Sequence, residues 1–216
     1  MECIAQASRL IFLENQYFTS HELCEALAKR LQEPNGPEIV LISTLQSPSW
    51  FDRMTMDTAR APLLERLQRA DRNRRFRALG PRTTGRAPIL VHSKVAIFDD
   101  EVVCVGSANL NNRAEAFDSE LEVAVTATDI SGRQGVRELR NELISHFLEM
   151  PSARLAALET ETGSLTAALD LSPNARLTPL RASPTPLERV IASLRLGDPR
   201  NVEENWRLLG RRTLGR

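Results

Sequence analysis

A histidine and a lysine two residues apart are the side chains in this sequence best suited to chemistry on a phosphate ester. They are His92 and Lys94, within the stretch V-H-S-K-V-A-I-F-D of residues 91–99. Imidazole titrates near neutral pH, so His92 can attack a phosphorus atom or transfer a proton. The ammonium group of Lys94 can hold phosphate oxygens by charge. A lone H-x-K pair is more often a half-exposed polar pair on a strand, so its neighbours decide between the two interpretations.

The residues around the pair alternate as a β-strand does. One face of a strand over 89–98 would hold Ile89, Val91, Ser93, Val95 and Ile97, and the other Leu90, His92, Lys94, Ala96 and Phe98. Period two therefore predicts that His92 and Lys94 point the same way. A polar turn over 99–101 and a returning strand over 102–105 would then bring residues 106–109 beside the pair.

The segment G-S-A-N, residues 106–109, adds hydrogen-bonding groups to this site. Ser107 and Asn109 can donate to anionic oxygens, and Gly106 permits close approach of the backbone. The charge of a phosphoryl group in transfer is spread over its oxygens, so fixed donors around it are the main catalytic need. With Asp99, the whole pattern is H-x-K-x4-D-x6-G-S-x-N.

Composition predicts a globular protein with an ordinary core. The chain has 216 residues, of which 42% are apolar, and its apolar runs are too short to span a bilayer. Because the first residues do not read as a signal peptide, we expect a cytoplasmic protein, with peripheral binding to the inner membrane surface as a second option. The three cysteines, Cys3, Cys24 and Cys104, predict reduced thiols rather than disulfides, and we expect no metal site and no cofactor.

Charge is balanced overall but uneven along the chain. Between Arg53 and Arg86 there are ten arginines and three acidic residues, whereas Lys29 and Lys94 are the only lysines in the chain. The arginines indicate either a solvated helix face and loop, or a basic rim that attracts a phospholipid headgroup or a nucleic-acid backbone.

Alternating strand and helix patterns predict an α/β domain with a mixed sheet. We expect strands over 9–14, 38–44, 75–79, 89–98, 102–105 and 120–127, and helices ending near 8 and spanning about 19–33, 54–71 and 131–149. Thr19 and Glu22 fit a capping box. The last long helix should place Val136, Leu139, Leu143 and Phe147 on its core face.

The character of the chain changes after Pro151. Five of the twelve prolines lie between Pro173 and Pro199. We therefore predict a catalytic lobe over 1–150 and a peripheral tail over 151–216, partly helical and partly linker. Trp206, Leu208 and Leu209 either dock on the lobe or form a short amphipathic end.

The pattern resembles the signature of the phospholipase D superfamily, in which two copies of the motif build one active site. The similarity extends to F-L-E-N-Q-Y-F at 12–18, to G-S-A-N-L-N-N-R at 106–113 and to D-S-E-L at 118–121, which look like the bacterial phospholipase D-like transphosphatidylases. It covers about residues 1–130 and includes one motif. The resemblance implies one α/β/α lobe, the second half of a two-lobed enzyme, and a metal-free mechanism through a phosphohistidine.

The same resemblance implies roles for individual residues. The catalytic set would be His92, Lys94, Asp99 and Glu120, with His92 as general acid and base and Glu120 holding the tautomer of a catalytic histidine. Asp99 is expected to tie its turn rather than touch the substrate. Lys94 and Asn109 would bind the substrate phosphate, with support from Ser107. The segment A-E-A-F at 114–117 departs from the pattern and leaves the acceptor open.

Three functions fit the sequence. The first is a phospholipase D-type phosphodiesterase that transfers a phosphatidyl group from a phospholipid to water or an alcohol, with a first lobe or a second copy of the chain completing the site. The second is a single-motif endonuclease that acts on nucleic acid as a homodimer, for which the arginine-rich region is the support. The third is a non-catalytic lobe. The E-N-Q-Y-F element favours the first.

Overall fold

A mixed β-sheet lies at the centre of the fold, as the sequence predicts. The computed structural model describes residues 1–172, 176–194 and 197–199; Trp206, Leu208 and Leu209 lie outside them. The strands are β1 (Leu10–Asn15), β2 (Glu38–Ser43), β3 (Phe76–Pro81), β4 (Lys94–Phe98), β5 (Val102–Gly106), β6 (Glu122–Thr126) and β7 (Leu177–Pro179). Their order is β6-β5-β4-β1-β2-β3-β7. β1, β2 and β3 run parallel, and every other pairing is antiparallel.

Helices flank the sheet on both sides. They are α1 (Glu2–Gln6), α2 (His21–Gln32), α3 (Trp50–Asp52), α4 (Thr58–Ala70), α5 (Asn112–Ala116), α6 (Ile130–Leu148), α7 (Ser152–Thr162), α8 (Leu165–Leu171) and α9 (Pro186–Leu194). A π-helical turn over Arg53–Asp57 joins α3 to α4. Within the described ranges, none of these helices is long and apolar enough to cross a bilayer.

The two faces of the sheet bury different side chains. On the first face, Ile11 and Leu13 of β1 share a buried cluster with residues of α2 and α4, such as Leu27 and Leu64. On the second face, Leu10 and Phe12 share a cluster with residues of α6, α7 and α8. Alternation along β1 therefore assigns each side chain to one of two cores.

The strand that carries the motif is shorter than the sequence predicts. β4 begins at Lys94, although alternation continues upstream, since Val91 and Val95 both reach the core of the second face. The backbone of Val91 bonds to the Thr44 hydroxyl instead of a neighbouring strand, with both its N–H and its carbonyl engaged. His92 therefore lies just before the first paired residue of the strand.

Two other local predictions are wrong. The N-cap of α2 is Ser20, whose hydroxyl accepts the Leu23 N–H at 3.0 Å, and the Thr19 hydroxyl instead donates to Asp198. On α6, Val136 and Phe147 are buried as predicted, whereas Leu139 is 38% exposed.

The segment after residue 150 contacts the sheet at two places. α7 and α8 contribute buried leucines to the core of the second face, and β7 pairs with β3. Arg140 of α6 is fully buried and forms ion pairs with Asp100, in the turn after β4, and Glu159 of α7. The predicted boundary at residue 150 falls between α6 and α7, and the division there into two parts stays a prediction.

Candidate active site

Lys94 is a buried cation at the first position of β4. Its side chain is 9% exposed, and Nζ donates to the His92 carbonyl oxygen at 3.0 Å and to Gln16 Oε1 at 3.4 Å. Burial lowers the pKa of Lys94, and attraction to Glu120 partly opposes that shift. Lys94 forms no salt bridge with any described residue. A buried ammonium whose hydrogen bonds go to neutral oxygens is suited to receive an anion.

His92 stands beside this cation and is open to solvent. Its side chain is exposed, and neither of its ring nitrogens bonds to a described residue. The contact between Lys94 Nζ and the His92 carbonyl fixes the backbone between the two side chains. An unpartnered imidazole next to a buried cation is free to reach a bound phosphate ester.

Glu120 links Ser107 to the surroundings of Lys94. The Ser107 hydroxyl donates to the Glu120 carboxylate and accepts the Leu121 N–H at 3.0 Å. Glu120 is exposed and close enough to Lys94 to raise its pKa. The carboxylate therefore connects the hydroxyl and the ammonium electrostatically.

Gly106 is required by the neighbouring strand. A Cβ atom at this position would lie 2.3 Å from the Leu121 carbonyl oxygen, which is backbone and cannot move aside cheaply. The close approach that the sequence predicts at Gly106 is thus made by β6. This packing determines the position of Ser107, the first residue after β5.

Asn109 is positioned by Asn15, a residue for which the sequence predicted no role. Asn15 is the register partner of Lys94 across the β1–β4 ladder. Its amide donates to the Ala108 carbonyl at 3.1 Å and accepts the Leu110 N–H at 3.2 Å, so it holds both neighbours of Asn109. Directly paired residues have Cβ atoms about 5 Å apart, so this clamp brings the Asn109 loop over the lysine.

No described residue forms a hydrogen bond with the Asn109 side chain. Its Oδ1 is buried without a hydrogen-bond partner among the described residues. A terminal amide can donate as well as accept, so Asn109 retains its capacity to bind an anion.

Asp99 lies at the far end of the motif strand. Five residue steps separate it from Lys94, which is roughly 16 Å along a strand. Its carboxylate accepts the N–H groups of Ser8, Arg9 and Leu10 at 2.7–2.8 Å. Burial alone would raise the pKa of Asp99, but these hydrogen bonds outweigh it and hold the pKa below the usual value. Asp99 therefore ties the turn after β4 to the start of β1.

Glu14 and Ser93 form a second polar pair, on the opposite face of the sheet from Lys94. The Ser93 hydroxyl donates to Glu14, whose other oxygen has no described partner. Burial raises the pKa of Glu14, and the bond from Ser93 partly offsets that effect. The sequence contained a signal for Glu14, since Glu14 belongs to the E-N-Q-Y-F element.

Most of the arginines between 53 and 86 are engaged within the fold. Arg60 is buried and donates to the Thr44 and Leu45 carbonyls. Arg75 donates to three backbone carbonyls of the segment 31–36. Three more bond to an acidic or hydroxyl side chain elsewhere in the fold, namely Arg66, Arg77 and Arg82. Arg69 forms an ion pair with Glu65 of its own helix. Six of the ten arginines therefore have internal partners, which reduces the charge available for a basic rim.

One family model matches most of the chain. It is described as "Cardiolipin synthase, PLD-like domain" and matches residues 1–147 of the 216. The chain belongs to this family. The matched range includes His92, Lys94, Ser107, Asn109 and Glu120, and the resemblance to phospholipase D seen in the sequence is confirmed. Proteins of the phospholipase D superfamily are phosphodiesterases or transferases.

Solved structures are similar to this PLD-like domain at low sequence identity, and one of them has a TM-score above 0.5. Phosphatidylserine synthase of Haemophilus influenzae Rd KW20 is 14% identical, with a TM-score of 0.53 over 79% of this chain and 42% of that chain. NucT from Helicobacter pylori is 17% identical, with a TM-score of 0.48 over 68% and 84% of the two chains. Nuc from Salmonella typhimurium, a phospholipase D family member, is 16% identical, with a TM-score of 0.45 over 65% and 81%. No curated protein sequence matches the chain significantly.

Proposed function

We propose that this PLD-like domain is half of a phospholipase D-type phosphodiesterase that acts on phospholipids. The observation that carries the proposal is Lys94, a buried ammonium with neutral hydrogen-bond partners beside an exposed imidazole. Burial destabilises the charged form of Lys94, which is why its pKa is lowered. A bound phosphate would supply a negative charge that the direct hydrogen-bond partners of Lys94 lack.

In the proposed reaction, one imidazole nitrogen attacks phosphorus and forms a phosphohistidine. The phosphorus–oxygen bond to the leaving alcohol breaks at the same time, and a second imidazolium gives that oxygen its proton. The second imidazole then takes a proton from water or an acceptor alcohol, whose oxygen displaces the histidine. Lys94, Ser107 and Asn109 hold the phosphoryl oxygens, and Glu120 orients an imidazole.

This reaction needs two histidines on opposite sides of the phosphorus, because attack and departure are roughly in line. His92 supplies one of them. We infer that the second comes from another copy of the chain, which would bring its own His92 and Lys94.

An exposed apolar surface is suited to such a contact; it lies on the other face of the sheet from Lys94 and reaches the candidate site at the edge beside Ser107. The β6 surface, as we call it, consists of Val105, Leu121, Val123 and Val125, which are 47–74% exposed. Val105 and Val123 are register partners, and β6 is the edge strand. Leu121 lies next to Glu120 and contacts Ser107 through its backbone. If the β6 surfaces of two copies packed against each other, they would bury apolar area and bring the two sites together.

Phospholipid is the favoured substrate over nucleic acid for two reasons. The description of the matching family model names cardiolipin synthase, an enzyme that makes a phospholipid. The arginines that would support a nucleic-acid rim are mostly occupied by internal partners.

The proposal is tested with Lys94→Met, and Lys29→Met is the matched control because it changes the other lysine of the chain, which is exposed. Hydrolysis of a phosphatidylcholine analogue and of single-stranded DNA is measured in parallel, with and without chelator. We expect Lys94→Met to reduce lipid turnover by at least about 10²-fold, as loss of a transition-state donor does. Lys29→Met and chelator should leave the rate unchanged.

Three results would count against the proposal. Turnover of DNA alone would make the protein a nuclease. Full activity of Lys94→Met would remove the lysine from the chemistry. Loss of activity in chelator, with recovery on adding a metal, would exclude the histidine mechanism.

A further inference from the structure

Asp198 is a buried carboxylate in the C-terminal segment, beyond the range matched by the family model. Its side chain is 3% exposed. It forms no salt bridge with the described residues, so neutral groups hold its charge. A buried carboxylate without a cation is costly unless several hydrogen bonds stabilise it.

Those hydrogen bonds come from the loop after β1 and from the start of α5, which directly follows the loop that carries Asn109. The Thr19 hydroxyl, from the loop after β1, donates to Asp198 Oδ2 at 2.6 Å. From the first turn of α5, the Asn112 amide group and backbone N–H donate to the same oxygen at 2.6 and 3.0 Å. The Arg113 N–H donates to Oδ1 at 2.9 Å. Asp198 thus connects the loop after β1 to the start of α5, two segments that are distant along the chain.

The segment fits closely where it approaches these loops. A Cβ atom on Gly197 would lie 2.7 Å from the Thr55 hydroxyl and 2.8 Å from its Cβ. Asp198 therefore reaches the loops through a position where only glycine fits without movement.

The contacts of Asp198 continue to Asn109. The Leu110 carbonyl accepts the N–H groups of Thr19 and Ser20 at 2.8 and 3.1 Å. The Asn111 N–H donates to the Asn109 carbonyl at 2.8 Å. Asn109 lies three positions before Asn112, and the Asn15 clamp holds the other side of the same loop.

We propose that Asp198 is a positioning residue for the phosphate-binding loop, which it holds through Asn112, Arg113 and Thr19. The C-terminal segment would then control the affinity of the site for phosphate without touching the substrate. This inference rests on the proposed function, since it takes Asn109 and Lys94 as phosphate ligands.

The test compares Asp198→Ala and Asp198→Asn with Glu188→Gln. Glu188 is the acid in the same segment that bonds to Arg181 and Thr185 rather than to the site loops. Inorganic phosphate is titrated into each protein and followed by the amide resonances of Ser107 and Asn109. We expect Asp198→Ala to weaken phosphate binding about ten-fold, and Glu188→Gln to change it by less than about two-fold.

Sodium acetate is added to Asp198→Ala to test whether it restores the loop, with sodium chloride at the same ionic strength as the control. Acetate can occupy the space left in Asp198→Ala and accept the same hydrogen bonds, so it should move the Asn109 and Asn112 resonances back toward wild type. Asp198→Asn keeps the shape of the side chain and one oxygen that can accept hydrogen bonds. Its phosphate affinity should therefore lie between those of wild type and Asp198→Ala. Asp198→Asn also keeps the test decisive if the alanine variant does not fold.

The inference is wrong if both Asp198 variants shift Asn112 and Arg113 but leave Asn109 and phosphate affinity unchanged. Asp198 would then only anchor the C-terminal segment. Lys94→Met separates this failure from failure of the proposed function. If Lys94→Met binds phosphate as wild type does, the site assignment fails, while the Asn109 resonances still report whether Asp198 positions the loop.

Discussion

Lys94 and Asn109 depend on residues of β1 and the loop after it for their positions. Asn15 pairs with Lys94 across the ladder and clamps the loop on both sides of Asn109, and Gln16 bonds to the Lys94 ammonium. The motif residues were recognisable from their spacing in the sequence. The role of Asn15 was not, because it depends on the register between two strands distant along the chain.

Asp99 illustrates how a motif residue can be structural. Replacing it with alanine leaves the N–H groups of Ser8, Arg9 and Leu10 without their acceptor. We expect Asp99→Ala to lower the free energy of unfolding at neutral pH by about 2–4 kcal/mol. Urea unfolding measures this loss.

The effect of Asp99 should depend on pH in one direction. Because the folded state depresses the pKa of Asp99, its stabilisation is present above the ordinary aspartate pKa of about 4 and is lost as pH falls through the folded-state pKa. The gap between wild type and Asp99→Ala should therefore narrow in acid. Asp170→Ala is the control, since the half-exposed ion pair of Asp170 with Arg77 should contribute less than about 1 kcal/mol. A gap that stays constant to low pH would contradict this role.

Strands and loops determine which part of the motif faces the substrate. Alternation correctly assigned the faces of β4, because each face packs against a separate core. It overestimated the strand length, since the Val91 backbone bonds to Thr44 and the ladder begins only at Lys94, two residues after His92. Such a competing side-chain bond leaves no trace in the hydrophobic pattern.

Gly106 tests the packing of β5 against β6. We expect Gly106→Ala to destabilise the protein by about 1–3 kcal/mol, because its Cβ would collide with the Leu121 carbonyl. It should also displace Ser107 and Glu120 and reduce activity more than stability alone explains. Thermal unfolding and turnover are measured together.

Gly135→Ala is the matched control for this change. Gly135 lies within α6, and a Cβ atom there would meet no atom within 4 Å beyond the helix's own backbone, so alanine should stabilise the helix by up to about 1 kcal/mol. Equal effects of the two substitutions would show that the close approach at Gly106 is unimportant.

At the scale of the whole molecule, the candidate site lies beside an edge strand with exposed apolar residues. Composition and alternation were enough to predict an α/β domain with a mixed sheet. They did not predict that the C-terminal segment returns to the site loops through Asp198, because a single acidic residue in a proline-rich stretch has no distinguishing pattern.

The β6 surface is tested with Val123→Lys. A lysine there should weaken self-association by at least about ten-fold, because it places a charge in the apolar contact, while leaving the fold unchanged. Val190→Lys, at a similarly exposed valine of α9, should leave association unchanged. Sedimentation velocity over a concentration series measures both. Association that is unaffected by Val123→Lys would place the contact elsewhere.

The claim that two chains share one site is tested most directly by mixing wild type with His92→Ala. The two proteins are combined at fixed total concentration, allowed to exchange subunits, and assayed on the phosphatidylcholine analogue. If each site needs His92 from both copies, activity should follow the square of the wild-type fraction, so that an equal mixture retains about a quarter of the activity. Activity in direct proportion to the wild-type fraction, with about half remaining in the equal mixture, would mean that each chain works alone and would contradict the shared site.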